Sequence, residues 1–265
     1  MPRKTISRRA VLGFLAAGAF GLFVVREPIG ALFAEDLSFE PMPGLPGFRQ
    51  MAGGSISTGG SAAGTFGLFV GLDSADQADP RMEETVARIR SDMCPALYPS
   101  GVAEDDLVPV ASFSDYNCPY CRVQTEKLAE IAKSGGIEVA WHELPLLGDA
   151  SLTAARGALA AKRQGAYLAF HRRLMRAPFQ TNAEYLKLLA KDIGVDREQF
   201  LADMQSDEVA DELRRSRALA RIFGFIGTPA LVVGRTVIQG QVGDATIAKL
   251  IERERADGPV PGCTA

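Results

Sequence analysis

The chain has 265 residues with 47% hydrophobic content, enough for a sizeable core, and a formal net charge of −3. Setting aside residues 1–35 leaves 24 basic against 30 acidic side chains, an acidic body without a basic stripe, which argues against nucleic acid as a partner. Four cysteines in an acidic, apolar-rich chain leave two classes open, redox work or metal binding, and the compartment decides between them.

The N-terminus reads as a targeting segment. Arg3, Lys4, Arg8 and Arg9 precede an uncharged run over residues 10–25, which closes at Arg26-Glu27-Pro28. The run is shorter than the ~20 apolar residues a spanning helix needs, and it fits a signal-peptide core. Ser7-Arg8-Arg9-Ala10-Val11-Leu12 resembles a twin-arginine export signal. Residues 1–35 are therefore taken as an export signal or an N-terminal anchor, and the rest of the chain as residing in the periplasm or cell envelope.

Residues 36–78 carry Pro41, Pro43 and Pro46, then Gly53-Gly54-Ser55 and Gly59-Gly60-Ser61. This is the composition of a linker or extended arm, with one short strand expected over residues 67–72. A domain over residues 79–265 follows. It opens on an amphipathic helix over residues 80–93, with Met82, Val86 and Ile89 at helical spacing. Cys94-Pro95 ends that helix. Cys94 is positioned to meet Cys263, tying the two ends of the domain together; the alternative is two free thiols.

A nearly continuous apolar run over residues 108–113 predicts a central strand buried on both faces. It leads into Ser114-Asp115-Tyr116-Asn117-Cys118-Pro119-Tyr120-Cys121. Cys118 stands where a helix begins, with Pro119 at the first helical position, where its missing N–H costs nothing. A sulfur there sits among unpaired backbone N–H groups at the positive end of a helix dipole, which favours the thiolate. Cys121 lies one turn on, on the same face, so the two can close and reopen a disulfide. The helix over residues 119–133 places Val123, Leu128 and Ile131 inward, and Gly135-Gly136 stops it. Residues 137–141 alternate as a second strand, making a βαβ unit with parallel strands.

Residues 149–225 form a helical insertion. An Ala-rich helix over residues 151–176 breaks or bends near Gly165. Thr181-Asn182-Ala183-Glu184 fits a capping box opening a helix with Tyr185, Leu188 and Leu189 inward, and Asp196 and Ser206 cap two more. Residues 230–233 and 236–238 then pair as a hairpin on Gly234-Arg235, and Asp244 caps a last helix.

Parallel βαβ, a helical insertion, a hairpin and a closing helix, with Cys118-Pro119-Tyr120-Cys121 at the first helix and Gly227-Thr228-Pro229 before the hairpin, resemble the exported thiol-disulfide oxidoreductases of the DsbA-like family over residues 108–254. The resemblance implies an α/β, thioredoxin-like fold with a helical insertion domain between the βαβ unit and the C-terminal ββα unit. It implies that Cys118 is the attacking, solvent-facing sulfur, that Cys121 is the buried resolving one, and that Thr228 and Pro229 form a cis-proline loop facing them. Pro119 and Tyr120 shape the site between the sulfurs. Its substrates would be proteins with thiols or disulfides, with a membrane redox partner and no cofactor or metal. The family often carries a buried carboxylate six residues before the first cysteine, where this chain has Ser112. Asp115 is the candidate substitute as proton relay, against a surface or capping role.

His142 and His171 read as packing or surface residues, and Tyr116 with Tyr120 either as an apolar rim for substrates or as packing beside the buried strand. Three functions compete with a DsbA-like oxidase: a reductase or isomerase of the same fold, an envelope copper or zinc carrier, and a non-catalytic scaffold. Haem attachment is excluded because Arg122 stands where a histidine is required.

Overall fold

The computed structural model describes residues 37–58, 79–99, 107–177, 182–260 and 262–263. The chain divides into two units, Met1–Ser38 and Phe39–Ala265, and the second carries the fold described below.

A central strand with no exposed face organises this unit. Every residue of β3 (Val108–Ser114) is buried, because sheet neighbours lie on both sides and helices on both faces. Pro109, which has no N–H for a ladder, stands second in the strand, one residue before pairing with the antiparallel neighbour begins at Val110. β3 leads through a short turn into α3 (Pro119–Lys133), which returns to β4 (Ile137–Glu143) parallel to β3 in the register Val108 to Ile137. The hairpin β5 (Ala230–Val233) and β6 (Thr236–Gln239) flanks β3 on its other side, with β5 antiparallel to both β3 and β6.

Within residues 36–78, read as an arm or linker, residues 37–58 contribute two further strands to the sheet. β1 (Glu40–Pro41) and β2 (Arg49–Met51) form a small antiparallel ladder, and β2 adds to β6 in parallel, so the sheet order is β1-β2-β6-β5-β3-β4. The compact unit thus begins at Phe39 and not near residue 79. Arg49 is the reason. From β2 its guanidinium reaches Glu254 at 2.5 Å and Asp257 at 2.8 Å, both on α9 (Asp244–Asp257), and Thr236 Oγ1 at 2.8 Å. The strand expected over residues 67–72 lies outside the described residues.

α1 (Met82–Ser91) and the single turn α2 (Cys94–Leu97) cover one sheet face, and Cys94 is disulfide-bonded to Cys263. The insertion consists of α4 (Asp149–Arg163), α5 (Tyr167–Arg176), α6 (Ala183–Asp192), α7 (Arg197–Asp203) and α8 (Asp207–Phe223). The Ala-rich pattern makes two helices, broken at Gly165 with φ of 73°. Its small residues let helices approach: a Cβ on Gly157 would come within 3.3 Å of Leu186 and Phe170.

Several inward faces differ from the periodic reading. Val123 and Leu188 are exposed, while Cys121, Gln124, Thr125 and Leu128 on α3 and Leu186 and Leu189 on α6 are buried. Each exposed residue lies two positions after a buried one, which a 3.6-residue period turns to the opposite face. The α6 cap is Asn182, whose side chain accepts the Tyr185 N–H. Gly243 occupies the cap position of α9, and Asp244 is its first residue, where it favours the dipole and pairs with Lys127 at 2.9 Å.

His142 is buried in the main core, stacked on Phe113 with ring centroids 4.5 Å apart, and its Nε2 lies 2.9 Å from the Leu97 carbonyl. Burial presses its pKa down to about 4 from the ordinary 6.5. The neutral ring therefore supports the fold fully above pH 6.5, and that support is lost as pH falls toward 4. The loss amounts to about 3 kcal/mol when complete. Urea midpoints measured between these limits should fall more steeply for the native chain than for His142→Phe, which keeps the stacked ring and removes the titration.

Candidate active site

The turn after β3 is held by one buried carboxylate. Asp115 Oδ1 accepts the Asn117 N–H at 2.7 Å and the Ser151 hydroxyl at 2.6 Å, and Oδ2 accepts the N–H groups of Leu146 and Leu147 at 2.7 and 2.9 Å. Its carbonyl accepts the Cys118 N–H at 3.1 Å. Asp115 is thus no surface residue. It ties the cysteine turn to the segment after β4 and to the first turn of α4. Burial pushes its carboxyl up, against the four donors that hold it down. Asp115 also touches Cys121, through its backbone.

So anchored, the turn delivers Cys118 as the cap of α3, with Pro119 first in the helix. Cys118 Sγ accepts the Cys121 N–H at 3.2 Å. Hydrogen bonding from the Cys121 side chain, then from Ser57 and the Cys121 N–H, pulls the Cys118 thiol down to about 6, overcoming the effect of burial. Cys121 moves the other way. Burial raises it well above its ordinary value, and the neighbouring Cys118 adds to that rise. One sulfur is set up as thiolate and its neighbour as thiol.

The Thr228–Pro229 peptide is cis and faces this pair, with the Thr228 carbonyl 3.3 Å from Cys118 Sγ. The structure therefore brings Cys118, Cys121 and Thr228 together above Asp115. Pro119 is exposed, and Tyr120 is half-buried against the insertion core that also contains both sulfurs. Cys94 and Cys263 belong to the other core, beside Phe113 and Leu97. Ser112 is buried within β3 between Trp141 and Leu231. Among the described residues, no three His, Cys, Asp or Glu side chains converge as a metal set.

Two expectations need correction. Cys118 does not face solvent; it is as fully buried as Cys121. Tyr116 is not a rim residue but a buried hydrogen-bonding one. Its hydroxyl lies 2.7 Å from Glu143 Oε1 and 2.6 Å from His171 Nδ1. Tyr167 donates to the same Glu143 oxygen at 2.7 Å. This four-residue cluster joins the cysteine turn, the end of β4 and α5. Arg122 adds a second tie, donating to the carbonyls of Tyr116 at 2.7 Å and Met175 at 3.0 Å.

Sequence reasoning missed Ser57, Ser151, Glu143 and Tyr167. Ser151 and Glu143 carried a usable signal, a polar residue within a stretch that the topology buries. Ser57 carried none.

The chain matches the DSBA-like thioredoxin domain over residues 109–252, more than half its length. It belongs to this family, and it is a thiol-disulfide oxidoreductase with a thioredoxin-like fold and a helical insertion. A thioredoxin-like oxidoreductase from Silicibacter pomeroyi is 34% identical, with 61% of this chain and 97% of that one covered and a TM-score of 0.57. The catalytic domain of ScsC from Proteus mirabilis is 27% identical, covering 65% and 98%, with a TM-score of 0.54. A periplasmic thioredoxin-like protein from Salmonella enterica is 28% identical, covering 61% and 95%, at 0.52. Among curated proteins, an Na(+)/H(+) antiporter NhaA from Herminiimonas arsenicoxydans is 25% identical over 154 residues, 57% of this chain, and the match spans a quarter of that protein's length. No helix among the described residues is long and apolar enough to cross a membrane.

A thiolate held down to about 6 gives a direct readout. The rate of iodoacetamide alkylation of Cys118 in the reduced protein should titrate with a midpoint near pH 6, far below that of a free thiol at about 8.5. A midpoint near the free-thiol value would remove the stabilised thiolate from the site.

Proposed function

We propose that this protein is an exported oxidase of protein thiols, working through Cys118 and Cys121. In the forward direction a substrate thiolate attacks Cys118 Sγ of the Cys118–Cys121 disulfide. A mixed disulfide forms at Cys118, and Cys121 leaves as a thiolate that takes up a proton. A second substrate thiolate then attacks the substrate sulfur of the mixed disulfide, and Cys118 leaves as a thiolate. The substrate loses two electrons, and the enzyme emerges as the dithiol.

The observation that carries the direction is the unequal pair of sulfurs. A Cys118 thiolate stabilised by the cap of α3 lowers the free energy of the dithiol relative to the disulfide at neutral pH, which makes the disulfide a stronger oxidant. Reoxidation of the dithiol is assigned to a membrane redox partner. The basic, then uncharged N-terminal segment and the periplasmic description of the Salmonella enterica relative support an envelope location.

Thr228 and Pro229 are assigned to receiving the substrate backbone, with Pro119 and Tyr120 framing the entry to the sulfurs. Asp115 keeps the relay assignment on its burial and its place in the turn that carries Cys118. Asp115→Asn exchanges an acceptor for a donor in front of satisfied N–H groups, so it should cost about 3 kcal/mol of stability, read from denaturant midpoints. If the pH profile of exchange is the same in this variant, Asp115 is an anchor alone.

The function is tested by oxidation of a reduced, unfolded test protein. The native chain should catalyse it and Cys118→Ser should not, and activity surviving that substitution would sink the assignment. The potential against glutathione decides direction. A value nearer the ~−120 mV of a strong oxidant than the ~−270 mV of a reductant supports the oxidase, and one near the lower figure makes the protein a reductase.

A further inference from the structure

The Gly-rich segment after β2 does not leave the domain. From Met51 the chain runs over the backbone of residues 239–241 and then over Gly227 and Thr228. The Ser57 N–H donates to the Thr228 carbonyl at 2.7 Å, and the Thr228 N–H donates to the Ser57 carbonyl at 2.9 Å, one antiparallel bridge. Both backbone groups of the residue preceding Pro229 are thereby taken. A third bond runs from the Gln241 N–H to the Ser55 carbonyl at 3.1 Å.

The approach is closer than side chains permit. A Cβ on Gly53 would lie 1.5 Å from the Gln239 carbonyl oxygen, and one on Gly54 would lie 2.3 Å from that of Gln241. On the facing side, a Cβ on Gly240 would meet the Gly54 carbonyl oxygen at 2.2 Å, and one on Gly227 would meet that of Ser57 at 2.7 Å. Glycines on both surfaces are what a fitted backbone-to-backbone contact requires. The Thr228 carbonyl that accepts the Ser57 N–H also lies 3.3 Å from the Cys118 sulfur, and Cys118 is fully buried.

We propose that residues 53–58 are a built-in strand occupying the substrate cleft, with Ser57 standing where the sulfur-bearing residue of a protein substrate binds, so that strand and substrate compete for Thr228. The inference rests on the proposed function, since it is the protein substrate that must displace the strand. A buried Cys118 cannot be reached by a protein thiol until the strand lifts. Serine suits an occupant that must not be consumed: it matches cysteine in shape, but its oxygen forms no disulfide with Cys118. An incoming substrate remakes the same backbone hydrogen bonds and adds a mixed disulfide, which gives it the advantage. β2, pinned by Arg49 to Glu254 and Asp257, keeps the displaced strand tethered and so at high effective concentration for return.

Two measurements on the full chain test this. In the first, Ser57→Cys is examined in the protein carrying the Cys118–Cys121 disulfide. The introduced thiolate should attack Cys118 Sγ, the Cys118–Cys121 bond should break with Cys121 leaving as a thiolate, and peptide mapping should find position 57 joined to Cys118 in most chains. A free, alkylatable thiol at position 57 beside an intact Cys118–Cys121 bond overturns the proposal.

In the second, the reduced native chain is compared with Gly54→Val, which forces the strand away, and with Ser57→Pro, which removes the N–H given to Thr228. Alkylation of Cys118 by iodoacetamide should be about tenfold faster in both, the scale of one to two net backbone hydrogen bonds. Unchanged rates in two folded variants overturn it. Alkylation needs no protein substrate, so faster alkylation in a protein that oxidises no test substrate would leave the strand in place and remove the proposed function alone.

Discussion

The sulfur of Cys118 is the N-cap of α3, and the rest of the site depends on that placement. A helix start offers backbone N–H groups with no partner inside the helix, and here a cysteine sulfur takes one of them. The same contact does structural and chemical work. It satisfies a buried donor, and it stabilises negative charge on the atom that leaves when a mixed disulfide resolves. The cap holds its position because β3 cannot shift: it is buried over its whole length, and its register is set by β4 on one side and β5 on the other.

Burying such a turn raises the cost of every polar group in it, and the structure meets that cost by saturation. Asp115 accepts four hydrogen bonds from four residues, three of them outside the turn. Tyr116, Glu143, Tyr167 and His171 satisfy one another where the insertion meets the sheet, although Glu143 Oε2 and His171 Nε2 have no partner. The insertion supplies one wall of the site through the Ala-rich face of α4, which packs with Tyr116 and both sulfurs. The arm meets the site at Thr228, whose carbonyl lies beside the Cys118 sulfur. The chemistry common to the family is thus flanked by elements that precede and follow the βαβ unit in the chain.

Much of this was legible in the sequence, for local reasons. The helix start at Pro119, the caps at Asp196 and Ser206, the turn at Gly234-Arg235 and the parallel pair β3 and β4 follow from spacing and from residues whose backbone preferences are strong. The errors were of one kind. Val123 and Leu188 are apolar, but each lies across the helix from the face that packs, and which face packs is set by neighbours remote in sequence. Asp115 looked like a loop residue because three of its four donors come from a segment that only the folded βαβ unit brings near.

By itself, the sequence determined the chemistry and the order of elements: two cysteines one helical turn apart, a proline to begin the helix, and Thr228-Pro229 ahead of a hairpin. Those depend on residue identity and short-range spacing. Only the tertiary structure decided what surrounds them. Gly53-Gly54 reads the same whether the chain is a free linker or must pass within van der Waals contact of another backbone, because glycine is permitted in both. Ser57 has no local pattern to mark it. Its place beside Cys118 comes from β2 pairing with β6 and from the ladder at Thr228, long-range hydrogen bonds that no window of sequence contains.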